Sequence, residues 1–328
     1  MYINSEQVTV KALLLKFLKM REIGALIPLV VIFVIASFSN SAFTSLPNLL
    51  NMLRASAYIF IAAVGMTYVL CGRGLDLSIG SQVGMSGVVL GALMVWWNVP
   101  IVLAIFIALL VGALAGAING FFVVVLRVPP FIATLATFYG YRGILEGVTK
   151  GTPISPMPES FKIIGLGSLF GVAYVIWFMI FLFIVATFVL RKTKYGRYTL
   201  AMGGNPQSTR LAGISTKKLT FSLYVLMGVL ACIAGIFFTS RFSSALPTLG
   251  VGMELKVIAA CIIGGVSLFG GAGSILGTLI GSMFLVVLDN GMIVAHISGY
   301  WQQAIVGLII IIACVIDLFR KGDLTRKD

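Results

Sequence analysis

Apolar runs of about 20 residues follow one another along almost the whole chain, separated by short polar stretches. Ten such segments can be marked, at 23–43, 50–71, 77–96, 99–126, 130–147, 167–190, 218–240, 254–269, 275–295 and 301–319. A helix of about 20 residues matches the hydrocarbon core of a bilayer. The pattern therefore predicts an all-α polytopic membrane protein of about ten transmembrane helices, with one membrane domain over 23–319 flanked by a short segment at 1–22 and a tail at 320–328. Ten is even, so both termini fall on one side. The two longest polar stretches, 148–166 and 191–217, are too small for a soluble domain. No catalytic or nucleotide-binding domain is expected on this chain.

Composition agrees with this reading. Of 328 residues, 59% are hydrophobic and 10% charged, against about 25% charged in a soluble protein. The net charge of +13 is a matter of placement. Fifteen of the 23 Lys and Arg fall at 11–21, at 191–218 and in the tail. Basic clusters beside spanning helices stay on the cytoplasmic side, which puts both termini and 191–217 inside and 148–166 outside. No nucleic-acid partner is needed to explain the charge. Trp96, Trp97 and Trp301 fall at predicted outer ends, where amphipathic rings sit at headgroup level. Cys71, Cys232, Cys261 and Cys314 are scattered singly in apolar segments and read as packing residues. The lone His296 reads as interfacial, and the N-terminus lacks the pattern of a signal peptide.

Polar groups inside apolar segments are costly and mark candidate sites. They are Asp76, Asn119, Arg142, Glu146, Glu254, Asp289 and Asn290. Arg142 and Glu146 stand four apart on one helical face and are placed to pair. Glu254 suits the first turn of a helix. Asp289 and Asn290 have no charge partner nearby in sequence. In 72-GRGLDLSIGS-81 the glycines let the backbone leave helical geometry, and Asp76 can cap the next helix by accepting from the amide of Ser78 or Ile79. The same break, at membrane depth, could line a path for a polar solute or flex during gating. The two readings are compatible. The glycine-rich 264-GGVSLFGGAGSILGT-278 lacks the lysine of a phosphate loop. Gly112, Gly116 and Gly120, and Gly273, Gly277 and Gly281, clear helix faces for close packing.

GRGLDLSIGS resembles the Gly-Gly-x-Asp-Leu-Ser-Val-Gly-Ser signature of ribose-type sugar permeases of bacterial ATP-binding-cassette importers. Arg73 stands at one of its two glycines and Ile79 at the valine. The resemblance continues through 128-VPPFIATLATFYGYRGI-144, 195-YGRYTLAMGGNPQSTRLAGIST-216 and 253-MELKVIAACIIGGVSLFGGAGSILGTLIG-281, covering about 40–320. It implies a permease subunit of the bacterial inner membrane, without enzymatic activity of its own. Its implied partners are a cytoplasmic ATPase carrying ATP and Mg, an extracytoplasmic sugar-binding protein and a second permease chain, identical or not. No cofactor is expected on this chain. The inner stretch GGNPQSTRLAGI is similar to the family's coupling loop, so Gly204, Asn205, Arg210, Leu211 and Gly213 are assigned to ATPase coupling. Asn205-Pro206 is a helix-start signal, and about two turns ending at Gly213 are expected. Asp76, Ser78, Asn119, Asp289 and Asn290 are assigned to the solute path or its gate. The family handles pentoses, hexoses and autoinducer-2, so the sugar stays open. Amino-acid and nucleoside permeases of the wider superfamily, a proton-coupled transporter using Asp289 or Asp76, and a scaffold or sensor subunit are the alternatives.

Overall fold

A computed structural model of the chain describes residues 23–298 and part of 301–315. The predicted segment 301–319 falls only partly within these residues. The predicted terminal segments 1–22 and 320–328, and Cys314, lie outside the described residues.

The regular structure of the described residues is helical, apart from a hairpin of two two-residue strands and one isolated bridge between Ile154 and Ala245. In order, the helices are α1 (Ile23–Ser39), α2 (Leu46–Cys71), α3 (Ile79–Gly91, continued by a π-helical turn Ala92–Trp96), α4 (Ile101–Val124), α5 (Pro130–Thr149) and α6 (Glu159–Leu166). After the strands β1 (Ser168–Leu169) and β2 (Val172–Ala173) come α7 (Tyr174–Lys192), α8 (Lys194–Gly204), α9 (Pro206–Leu211), α10 (Thr216–Phe242), α11 (Met253–Ile263) and α12 (Ile275–Val294). Six of these stretches are long and apolar enough to cross a membrane: α2, α3 with its π turn, α4, α7, α10 and α12.

Two helices form the hub. In α2 every residue from Ser56 to Cys71 is buried. A helix that is apolar all round belongs inside a larger bundle. The other hub, α10, packs against α2, α3 and α4. Its contact with α4 is a backbone approach, as the small-residue spacing predicts. A Cβ on Gly116 would stand 2.1 Å from the Tyr224 carbonyl oxygen, and one on Gly228 2.1 Å from that of Gly112. Around this hub, α12 packs on α1, α2 and α11, and α5 packs on α3.

The structure departs from the sequence pattern in three places. The apolar run 254–269 is not one spanning helix. α11 ends at Ile263, and its 11 residues rise about 16 Å, half the bilayer core. The remainder, 264–274, is irregular, with Gly265, Gly270 and Gly271 at positive φ. The run 167–190 opens with the β1–β2 hairpin, and its helix starts at Tyr174. The basic stretch 191–217 is mostly helical, as α8 and α9.

Candidate functional site

The chain leaves α2 through a tight reversal. The amides of Gly72, Arg73 and Gly74 donate back to the carbonyls of Tyr68, Leu70 and Val69. Arg73, which replaces a glycine of the resembled signature, sits in the left-handed region at φ 67°. A side chain there costs about 1–2 kcal/mol. Beyond it Asp76 is fully buried, together with Ser78 and Asn119. Asp76 Oδ1 accepts from the Ser78 amide at 2.8 Å and the Ser78 hydroxyl at 2.6 Å. Its Oδ2 accepts from Asn119 Nδ2 at 3.1 Å and Gln82 Nε2 at 3.4 Å. Ser78 Oγ also accepts from Gln82 and Asn119, at 2.6 and 2.8 Å. Asn119 Oδ1 takes the Thr137 hydroxyl at 2.7 Å. Desolvating a carboxylate is tolerable only when donors replace water; here four do. The expected Asp76–Ser78 amide bond is present, within a knot that ties α3, α4 and α5 together. The Leu75 carbonyl adds α10, accepting from the Tyr224 hydroxyl at 3.2 Å.

Asp289 and Asn290 are not in this knot. They lie near the far end of α12, and each has a partner that sequence order hides. Lys256 of α11 pairs with Asp289 Oδ2 at 2.5 Å. Asn290 exchanges two amide bonds with Asn48, at 2.8 and 3.0 Å. No charge partner stands near Asp289 in sequence, as expected; the one it finds in the fold, Lys256, is 33 positions away. The pair borders a cavity of about 580 Å³ between α2, α10, α11, α12 and the 246–251 loop.

The expected Arg142–Glu146 pair is corrected. Arg142 turns to the 247–249 backbone, donating to the carbonyls of Pro247 and Leu249, while Glu146 is exposed. A guanidinium has five donors, and two convergent carbonyls use them better than one solvated carboxylate. Glu254 does open α11, as the dipole argument expects. Exposed His296 follows the end of α12, and Cys232 and Cys261 are buried.

At the basic end, α8 and α9 form the 191–217 stretch. Asn205 Oδ1 caps α9 by accepting from the Ser208 amide at 2.9 Å, with Pro206 at its first position. α9 stops at Leu211, two residues short of the expected end, and Gly213 follows at φ 80°. Gly204, Asn205, Arg210, Leu211 and Gly213 are all exposed, Leu211 at 83%. Their neighbour Gly203 is wedged in. A Cβ on it would lie 1.8 Å from the Cys71 carbonyl oxygen and 2.4 Å from the Gly271 amide nitrogen. Gly271 itself donates to that carbonyl at 2.9 Å. The helical pair therefore rests on both backbone breaks, the one before Asp76 and the one after α11.

Sequence reasoning missed Gln82, Thr137, Lys256, Asn48 and Gly203. Gln82 alone carried a local signal, four residues after Ser78 on one helical face.

An apolar bundle interrupted by buried polar knots and carrying a basic helical loop is the build of a membrane permease. The family described as "Branched-chain amino acid transport system / permease component" matches residues 48–314, and the chain belongs to it. Its relatives include the ribose import permease protein RbsC of Haemophilus influenzae, 41% identical over 300 residues, which is 90% of this chain and 93% of the relative. RbsC of Escherichia coli is 40% identical over the same shares. The autoinducer 2 import system permease protein LsrC of Escherichia coli is 36% identical, over 93% of this chain and 89% of the relative. No solved structure matches the chain.

Proposed function

We propose that this chain is the membrane subunit of an ATP-driven importer that carries a monosaccharide, ribose or a close relative, across the bacterial inner membrane. The ribose permeases, at about 40% identity over nine-tenths of the chain, support the choice of sugar. The basic end faces the cytoplasm, and so do both termini, as the Lys and Arg clusters favour. A binding protein delivers the sugar outside, and a second permease chain, identical or sister, completes the path. ATP and Mg belong to a cytoplasmic ATPase, which grips α9 through Arg210 and Leu211.

The observation that carries this reading is the seat of α8 and α9. Their exposed tip offers Leu211 and Arg210 to a partner, while Gly203 at their root meets the backbone of Cys71 and Gly271. A displacement imposed on α9 reaches two glycine-rich breaks without passing through flexible side chains. Asp76, Ser78 and Asn119 form the latch of the gate, because they join α3, α4 and α5 into one unit. Asp289 and Asn290 belong to the far, outer part of the path.

Uptake of labelled D-ribose by cells holding the intact importer tests the assignment. Gly213→Trp blocks the left-handed turn after α9, so uptake is expected to disappear while the chain remains folded in the membrane. Normal uptake would sink the coupling role. Uptake that survives a protonophore while ATP is maintained excludes proton coupling. Autoinducer-2 is the second solute to assay, on the 36% relatives.

A further inference from the structure

The outer cavity carries unspent chemistry. Asp289 Oδ2 is held by Lys256, but Asp289 Oδ1 is buried and has no hydrogen-bond partner among the described residues. Lys256 has three donors, and one is used on Asp289. Asn51 stands on the same wall from α2. Half-buried Phe238 adds an aromatic surface to the lining; buried Tyr58 lies behind it, the two rings stacked with centroids 4.3 Å apart, and the Arg241 guanidinium lies over the Tyr58 ring. A volume of about 580 Å³ lies within the range of small-molecule sites, about 300–1,000 Å³.

On the reading that the chain is a sugar permease, we propose that this cavity is the seat a neutral polyhydroxylated solute takes on entering the membrane. Lys256 and Asn51 donate to neighbouring oxygens of the solute, Asp289 holds Lys256 in place between them, and Phe238 packs against the ring C–H face. The Lys256–Asp289 pair cancels its own charge, and Arg241, the other charged group of the lining, is engaged over the Tyr58 ring at 5.6 Å. A zwitterionic amino acid would have to separate the pair and bridge it. A hydroxylated ring can add to it and leave it whole. The seat is open at one side, with Lys256 40% and Asp289 19% exposed, which suits brief residence on a path.

The test uses the intact importer, permease with its ATPase, in lipid nanodiscs. Asn51→Cys is labelled with a water-soluble maleimide, alone and with 100-fold excess of D-ribose or L-leucine over the reagent. The expected result is rapid labelling that ribose slows about fivefold and leucine leaves unchanged. In Asn51→Cys with Asp289→Asn, labelling without sugar stays rapid and the protection disappears. No labelling at all, labelling indifferent to ribose, or protection by leucine instead would each overturn the proposal. Ribose uptake by the wild-type importer is measured in parallel. Uptake without protection refutes this seat alone, whereas absence of uptake refutes the sugar reading itself. Conservative Asp289→Glu keeps an acceptor in place and is expected to restore part of the protection, which a merely structural role would not predict.

Discussion

Asp76 and Asp289, the two aspartates among the described residues, meet opposite fates. Asp76 is fully enclosed and receives four hydrogen bonds, all from neutral donors on its own turn and on α3 and α4. Asp289 is partly open, balanced by one cation on a half-length helix, and keeps one oxygen without a partner among the described residues, beside a cavity. The first arrangement fills both oxygens of the carboxylate, leaving only Gln82 Oε1 of the knot without a partner among the described residues, and joins four helices through one carboxylate and its neighbouring carbonyl. The second holds a charge in place and still has bonds to give. A buried acid in a permease is thus either a fastener or a contact, and the census of its donors tells which.

Breaking the fastener is expected to have the largest effect. Asp76→Ala leaves Asn119, Gln82 and the Ser78 hydroxyl and amide facing an empty acceptor position. Each buried neutral donor left without an acceptor costs about 1–3 kcal/mol, read together as a large fall in thermal unfolding temperature in detergent and loss of uptake. Next comes the wedge. Gly203→Ala drives a methyl into two backbone atoms and is expected to cost about 1–3 kcal/mol and most of the uptake. Gly204→Ala, with nothing within 4 Å of its Cβ position, should behave as wild type in the same assays. Equal behaviour of the two variants would remove the wedge from the account. A smaller loss, about 1 kcal/mol, is expected for Asn290→Ala, which opens the amide exchange with Asn48. It should leave the knot intact, so hydrogen exchange at Asp76–Gln82 stays as slow as in the wild type. The smallest change is a gain. Arg73→Gly relieves a left-handed side chain and is expected to stabilise the chain by about 1 kcal/mol, with uptake unchanged, as paired melting curves would show.

Local chemistry was the part legible in the sequence. The Asp76–Ser78 amide bond follows from an aspartate two residues before a serine at a glycine-rich break, although Ser78 and not Asp76 takes the cap position of α3, and α9 follows from Asn205-Pro206. Both are read within four residues. The partners across helices were not legible, since Asn48 and Asn290 stand 242 positions apart and no period connects them. The length of α11 was hidden for another reason. Val266, Leu268 and Phe269 keep 264–274 apolar, so hydropathy carries the run past the point where Gly264 and Gly265 end the helix. The glycine pair was the available signal, and it was outweighed by an apolar average. The family signature also flagged Arg73 as a departure; the left-handed φ explains why a glycine suits that position.

The division of labour between the two aspartates is tested most directly by one paired measurement on the intact importer: ribose uptake against concentration, with melting temperature, for Asp76→Asn and Asp289→Asn. The account predicts that Asp76→Asn lowers the melting temperature and the maximal rate. It predicts that Asp289→Asn raises the half-saturating concentration about tenfold and moves the melting temperature little, since a partly exposed ion pair contributes about 1 kcal/mol or less. A raised half-saturating concentration in Asp76→Asn, with Asp289→Asn unchanged in uptake, would contradict it.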